Sequence, residues 1–569
     1  MIRLVTFVYS HQKDSLPMKN SMQLTAFAAF LILSVNASVL AAENFPPDYS
    51  ESADIATLSQ LDSDSMHYQL IQSRVTDKQA LWQPLVDQLG NFSQPQYAAL
   101  KPLVLDKTIA QLQAAVAEGQ FSYTQLTRFY IYRIREIESD NTRFINGVIA
   151  LNPSAIARAA ELDAQREAGR SVPAGSLFGI PVLLKDNIGV AGMPTTAGAV
   201  ALANNYTDNA FLAQQLHNSG AIILGKANLS EWAYFFCDGC PSGYSALGGQ
   251  TLNPYGRLVF GTGGSSAGSG AAVAANFAAA AVGSETSGSI LSPSSANSLV
   301  GLKPTTGSLS RTGIVPISAT LDTAGPMAKS VADAVTLFNA MAGYDAADLA
   351  MPLLADDLKL EIRQSSLAGK RLGVLNNLLE EAVYSSSIAA LTQAGAEIIA
   401  IDFAPPTLTN FDEFLGAEMV RDLALYLEVH GNSALALDSI KALQAFNNAD
   451  LEARAPYGQA LVDMMVDLNY TADQLESLRM ALQDQAGDYL DSVFAAGSLD
   501  VLVSLNSRNA GVAALANYPA LTIPAGYEDN GRPIGITFIA PSFQEQELID
   551  IGVQFEQLTK ARRAPAGYQ

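Results

Sequence analysis

From residue 107 the chain spaces its apolar residues as helices do. "KTIAQLQAAVAEGQFSYTQLTRFYIYRIREI" predicts two helices, with Gly119 as the break and Ser122 and Thr124 as available caps. "SAIARAAELDAQREAG" predicts a third, ended by Gly169. The pattern then changes. "GIPVLLKDNIGV" is a short apolar run with a turn behind it, the signature of a buried strand, and "DNAFLAQQLHNSGAIILGKAN" reads as helix, glycine, strand. "AAVAANFAAAAV", residues 271–282, is apolar on every side and predicts one buried helix. "GKRLGVLNN", "SIAALTQAGAE" and "IIAIDF" repeat the alternation over 369–403. Residues 410–495 predict a mostly helical cap. "DVLVSL" and "ALTIPAGY" return to strands, and "EQELIDIGVQFEQLTKA" closes on a helix. Alternation of this kind predicts an α/β fold, a sheet layered between helices.

Ahead of that body, residues 43–103 are polar and irregular, with helical patches such as "DKQALWQPLVDQLGNF". They read as an N-terminal extension wrapped on the main body. No proline-rich linker or internal repeat divides 104–569, which reads as one large domain. Residues 1–42 read as an export signal. Lys19 follows Met18, a possible true start; the apolar run Leu24–Leu33 comes next, and small residues lie near Ala41 and Ala42. The run is short and is broken by Asn36, which favours a cleaved signal over a membrane anchor. The expected location is periplasmic or secreted.

Composition narrows the function. Of 569 residues, 49% are hydrophobic and 15% charged, ample for a large core. The net charge of −22 argues against nucleic acid, whose binding rests on neutralising phosphates with Lys and Arg. Cys237 and Cys240, in "FFCDGCPSG", could close a small disulfide in an oxidising compartment; the alternative is two free thiols on a loop. They are too few for a zinc site, and no metal is expected. The four histidines include His67, His217 and His430, none in a recognised catalytic motif, so hydrolytic chemistry would use another base.

Three further features belong together. Lys185 ends the predicted strand "PVLLK"; a lysine held in a dry site loses proton affinity and can act as a base, whereas most lysines snorkel to water. "GTGGSSAGSG", residues 261–270, fits neither a phosphate loop nor a dinucleotide fingerprint, because no lysine follows and Ser266 stands where a third glycine is needed. "GSETSGSILSPSS", residues 283–295, places Ser289 after Gly288 on a turn, where neighbouring amides can point to one spot.

These stretches, with "AIILGKANLSEWA", "GLKPTTG", "TAGPMAKSVAD" and "YPALTIPAG", resemble the amidase signature family over most of 104–569. "KANLSEWA", "GGQTLNPY" and "DTAGPMAKSVADA" look most like its bacterial peptide amidases. The resemblance implies a large mixed sheet covered by helices on both faces and a catalytic triad. Ser289 would be the nucleophile, Ser265 the bridging serine after a cis Gly264–Ser265 bond, and Lys185 the base. The backbone N–H groups of Thr286, Ser287, Gly288 and Ser289 would form the oxyanion hole. Tyr234, Phe236 and Tyr244 would line the substrate entrance, with ordinary packing as the alternative. Glu285, Ser287 and Leu291 stand where the family often has Asp, Gly and Arg, and Ala267 replaces a glycine; peptide amidases also lack that arginine. The implied function is hydrolysis of a carboxamide C–N bond, in peptides or small amides, without a cofactor. The other readings are an amidotransferase-type glutaminase and a non-catalytic binding protein. The sequence leaves the oligomeric state open.

Overall fold

Strand Pro181–Lys185 shows why the sheet forms where it does. Every position along it is buried, so neither face meets water, as in the parallel part of a covered sheet. It lies parallel to Ile222–Ala227 on one side and to Ala280–Glu285 on the other. The computed structural model describes residues 49–173, 175–351 and 358–569. The expected signal at 1–42 lies outside the described residues. Among the described residues no helix is long and apolar enough to cross a membrane.

Among the described residues, eleven strands form one mixed sheet. Its order across the sheet is Val148–Leu151, Ile222–Ala227, Pro181–Lys185, Ala280–Glu285, Thr323–Ala328, Val300–Lys303, Ala520–Tyr527, Pro533–Ile539, Val501–Leu505, Arg371–Leu375 and Glu397–Ile401. The interior strands are buried at nearly every position, while Glu397–Ile401, at one edge, is only half covered. Helices Phe411–Val429, Ile440–Asn448, Leu451–Arg454, Ala460–Asp467 and Ala472–Gly497 make up the helical region between the strands Glu397–Ile401 and Val501–Leu505.

Local chemistry fixes the helix starts. Ser122 accepts the N–H of Gln125, and the Gln125 side chain accepts the Ser122 N–H, a reciprocal cap. The next two free donors, the N–H groups of Tyr123 and Thr124, are taken by Asp163 of helix Ala155–Glu167. Thr124 therefore does not cap this helix.

The alanine-rich run departs from expectation. Helix Ala267–Ala274 stops early, Asn276 turns left-handed at φ 58°, and Ala280–Glu285 is a strand. A run of small apolar residues is buried equally well in either form, so periodicity could not separate them. Tertiary contacts do. The Asn276 side chain is held by the Lys329 ammonium, 3.0 Å away, and donates to Asp106 at 3.2 Å, and the freed segment pairs between two strands.

Residues 49–103 pack against the same body. Glu51 accepts the N–H groups of Ile71 and Gln72, the Ile71 carbonyl accepts the Gln250 N–H, and the Tyr457 hydroxyl accepts from Gln69 and Leu70. The segment thus reaches Gln250 and, through Tyr457, the helical region together.

Candidate active site

Lys185 sits at the carboxyl end of its strand, beside the end of Ala280–Glu285. In parallel sheets the loops beyond such ends are where ligand sites form. Its side chain is wholly buried. The Nζ lies 2.8 Å from Ser265 Oγ, 2.9 Å from Ser284 Oγ and 3.0 Å from the Ser284 carbonyl. Asn187 Nδ2 donates to the same Ser284 hydroxyl at 2.9 Å. Burial pulls the lysine down from 10.5 to about 7, against the opposing pull of the Asp322 and Glu285 charges. A neutral amine has two N–H bonds and one lone pair. The Ser284 oxygens can take the two hydrogens, which leaves the lone pair to accept the Ser265 proton.

Ser265 is held by its backbone. The Gly264–Ser265 peptide is cis. The Ser265 carbonyl accepts the Ser230 N–H at 3.0 Å, and the next N–H, of Ser266, donates to the Ser289 carbonyl at 3.2 Å. Gly264 is closely approached: a Cβ there would lie 2.3 Å from Ser242 Oγ and 2.7 Å from Ser230 Oγ, so both hydroxyls would have to turn away. Ser266 Oγ bonds both the carbonyl and the N–H of Ser284. The glycine–serine run and the strand that ends at Ser284 are therefore locked together.

Ser289 lies on the turn between strand Ala280–Glu285 and helix Leu291–Ala296. Gly288 carries the turn at φ +87°, a left-handed conformation that a side chain would strain. Glu285 holds the turn from below. Its carboxylate accepts the N–H of Gly288 at 2.7 Å, of Ile290 at 2.6 Å and of Leu291 at 3.0 Å. This corrects the expected oxyanion hole: the Gly288 N–H is already engaged. Among the described residues no acceptor meets the N–H of Ser287 or Ser289. Thr286 is fixed by its hydroxyl, which donates to Asp322 at 2.5 Å. Asp322 also accepts the N–H groups of Ile317 and Ser318, and burial raises it to about 6.

Burial separates the roles. Ser265 is 0% exposed and Ser289 8%, so Ser265 is sealed while Ser289 touches a cavity. That cavity, of about 1070 Å3, is walled by Ser287, Gly288, Ser289, Asn506, Ser507 and Asn509 among others, and is polar. A second, of about 360 Å3, borders Ser284, Thr286 and Asn187 and is mostly apolar, with Ile314, Val315, Leu425 and Val429 in its wall.

The three expected aromatic contacts divide. Tyr234 is 44% exposed and lines the polar cavity. Phe236 and Tyr244 do not line either cavity. They are buried around Cys237, Cys240 and Tyr457, with the Tyr244 and Tyr457 rings edge to face at 4.8 Å. Their reading as entrance residues gives way to packing, because this loop folds back on itself. The Tyr234 hydroxyl donates to the Cys240 carbonyl at 2.8 Å, and Cys237 and Cys240 are paired, their Cα atoms 5.8 Å apart. Ser284, Asn187 and Asp322 were missed by residue-type reasoning. Each stands inside or beside a family motif, but nothing local marks a serine or asparagine as a partner of Lys185.

The family model named Amidase matches residues 125–505. The chain belongs to the amidase family. It is 34% identical to a probable amidase of Arabidopsis thaliana over 85% of this chain and 96% of that one. Among solved structures, an amidase family protein from Bacillus anthracis superposes with a TM-score of 0.82 at 37% identity, covering 87% of this chain and 99% of that one. The native peptide amidase of Stenotrophomonas maltophilia gives 0.75 at 39% identity, over 81% and 98%. This amidase is thus an amide-hydrolysing serine enzyme of the amidase signature class, with the mixed sheet of that fold.

Proposed function

We propose that this amidase cleaves carboxamide C–N bonds through an acyl-enzyme on Ser289, acting on C-terminal amides of peptides and on small amides. The observation that carries the reading is the buried Lys185 amine, 2.8 Å from the Ser265 hydroxyl and brought down to about 7. In water such an amine is protonated and inert. Here it is available as a base near neutral pH. Ser289 attacks the carbonyl carbon as its proton passes to Ser265 and the Ser265 proton to Lys185. The oxyanion forms against the N–H groups of Ser287 and Ser289, with Thr286 adjacent. Each such donor supplies about 2.7–4 kcal/mol of transition-state stabilisation. As the C–N bond breaks, Ser265 protonates the nitrogen and recovers a proton from Lys185. Water then cleaves the ester by the same relay.

The likeness to a peptide amidase supports the substrate class. The apolar cavity beside Thr286 suits the side chain of a C-terminal residue. The sequence of residues 18–42 supports export, so the enzyme would meet peptides outside the cytoplasm. Ammonia release from a panel of amidated peptides, simple amides and glutamine tests the class. Turnover of glutamine alone would favour the glutaminase reading. Fluorophosphonate labelling tests the nucleophile, and failure to label Ser289 would favour a binding protein. N-terminal sequencing of protein recovered from cells tests export; a chain that still begins at Met1 or Met18 would count against it.

A further inference from the structure

Three consecutive residues with side chains, Trp232, Ala233 and Tyr234, are left-handed, at φ 51°, 55° and 78°. A residue other than glycine is strained in that conformation, and a run of three persists only where the surroundings hold it. The turn stands at both cavities. Ala233 borders the apolar one, and Tyr234 the polar one that Ser289 lines.

The chain before the turn is firmly held. Trp232 is buried, its N–H donates to the Ala197 carbonyl at 2.9 Å, and the Glu231 carboxyl accepts the Ala246 N–H at 2.8 Å. The chain after the turn is held differently. Among the described residues, Phe236, Cys237, Asp238 and Gly239 make no hydrogen bond to the rest of the protein. What closes this stretch is the Cys237–Cys240 bond, which keeps the Cys240 carbonyl where the Tyr234 hydroxyl donates to it, at 2.8 Å. Two residues on, Ser242 also lines the polar cavity, and its hydroxyl lies against Gly264, next to Ser265. The disulfide thus braces two wall residues, Tyr234 and Ser242, from behind the wall.

The bond is within reach of solvent. Asp238 and Gly239 are exposed, and Cys240 is partly so. A small dithiol can attack it: the S–S bond breaks, two electrons and two protons pass to the cysteine sulfurs, and the dithiol is oxidised to its own disulfide. The Cys240 carbonyl is then no longer kept at the Tyr234 hydroxyl, and the left-handed turn is free to relax. Lys185, Ser265 and Ser284 sit on other segments and keep their contacts.

We infer that the Cys237–Cys240 disulfide is a positioning element for substrate binding: it fixes Tyr234 in the wall of the Ser289 cavity, so that reduction by a dithiol weakens binding of the amide and leaves the bond-breaking step in place. The inference rests on the reading of Ser289 as nucleophile. The chain has two cysteines in all, so thiol titration of the denatured enzyme reads the bond directly: no thiol before reduction, both after it. kcat and KM are measured for N-acetyl-L-phenylalaninamide with and without dithiothreitol. Reduction is expected to raise KM about fivefold or more, the effect of releasing one ordered aromatic contact, with kcat within about twofold and an unchanged circular dichroism spectrum. The double variant Cys237→Ser/Cys240→Ser should show the raised KM without reductant and no response to it. Tyr234→Phe keeps the disulfide but loses the hydroxyl, and should lose most of the response to reduction. Free thiols before reduction, an unchanged KM, a fall confined to kcat, loss of the folded spectrum on reduction, or a full response in Tyr234→Phe would each overturn the inference and leave the amidase reading intact. No turnover of this amide or of any amidated peptide by the oxidised enzyme overturns it together with the functional reading.

Discussion

Replacing Glu285 by Gln tests how the turn that carries Ser289, the proposed nucleophile, is held. The carboxylate accepts three backbone N–H groups, from Gly288, Ile290 and Leu291, at 2.7, 2.6 and 3.0 Å. A carboxamide keeps one acceptor oxygen and places an NH2 group where the other stood. At least one buried N–H then faces a donor, which costs about 1–3 kcal/mol, and the remaining bonds lose their charge assistance. A total near 3 kcal/mol falls on the six residues that carry Ser289 and its N–H neighbours. If all of it is felt in the transition state, kcat/KM drops about 100-fold. A second effect has a definite sign. The Glu285 charge favours the ammonium form of Lys185, so its removal lowers the lysine further and moves the acid limb of the pH profile to lower pH. The assay is kcat/KM against pH for a primary amide, in wild type, Glu285→Gln and Glu285→Asp, which keeps the charge. A Gln variant within threefold of wild type, or an acid limb moved to higher pH, refutes the reasoning.

Lys185→Ala and Ser289→Ala are each expected to abolish turnover with an unchanged circular dichroism spectrum, and wild-type activity in either would remove the assignment. Ser265→Ala is expected to be impaired less completely, since Lys185 remains buried near the turn; full activity would take Ser265 out of the relay. In the wild type, kcat/KM is expected to rise as pH approaches about 7 and to level above it, because Lys185 must lose its proton before it can act; a profile flat from about pH 5 to 8 contradicts this. Lys226→Met leaves the wholly buried Asp186, 3.1 Å from the lost ammonium, without a cation, and should lower stability by about 3–5 kcal/mol in denaturant titration. Adding Asp186→Asn should recover part of that loss, and a stable single variant would show the pair to be dispensable.

Where chemistry and neighbourhood in the chain coincide, the sequence was enough. The strand before Lys185, the cap at Ser122 and the turn before Ser289 all depend on residues within a few positions, and each forms as its pattern predicts. The family motifs carried the large mixed sheet in the same way, through ordered, correctly spaced matches. Those features are local or are recorded in spacing.

The remainder was decided by contacts distant in sequence. Ser284 meets Lys185 from 99 positions away, and only their adjacent strands bring them together. The alanine run became half helix and half strand because Lys329 and Asp106 anchor Asn276 and a gap in the sheet accepts the residues from Ala280 to Glu285. Phe236 and Tyr244, apolar and therefore open to either role, were assigned to packing by the fold of their loop. The Gly288 N–H went to Glu285, and Leu61, Asp62, Ser63, Ser65 and Met66 became a wall of the Ser289 cavity. A sequence specifies what each group can bond and which local shapes it favours; which partner comes within 3 Å is settled only when the layers close.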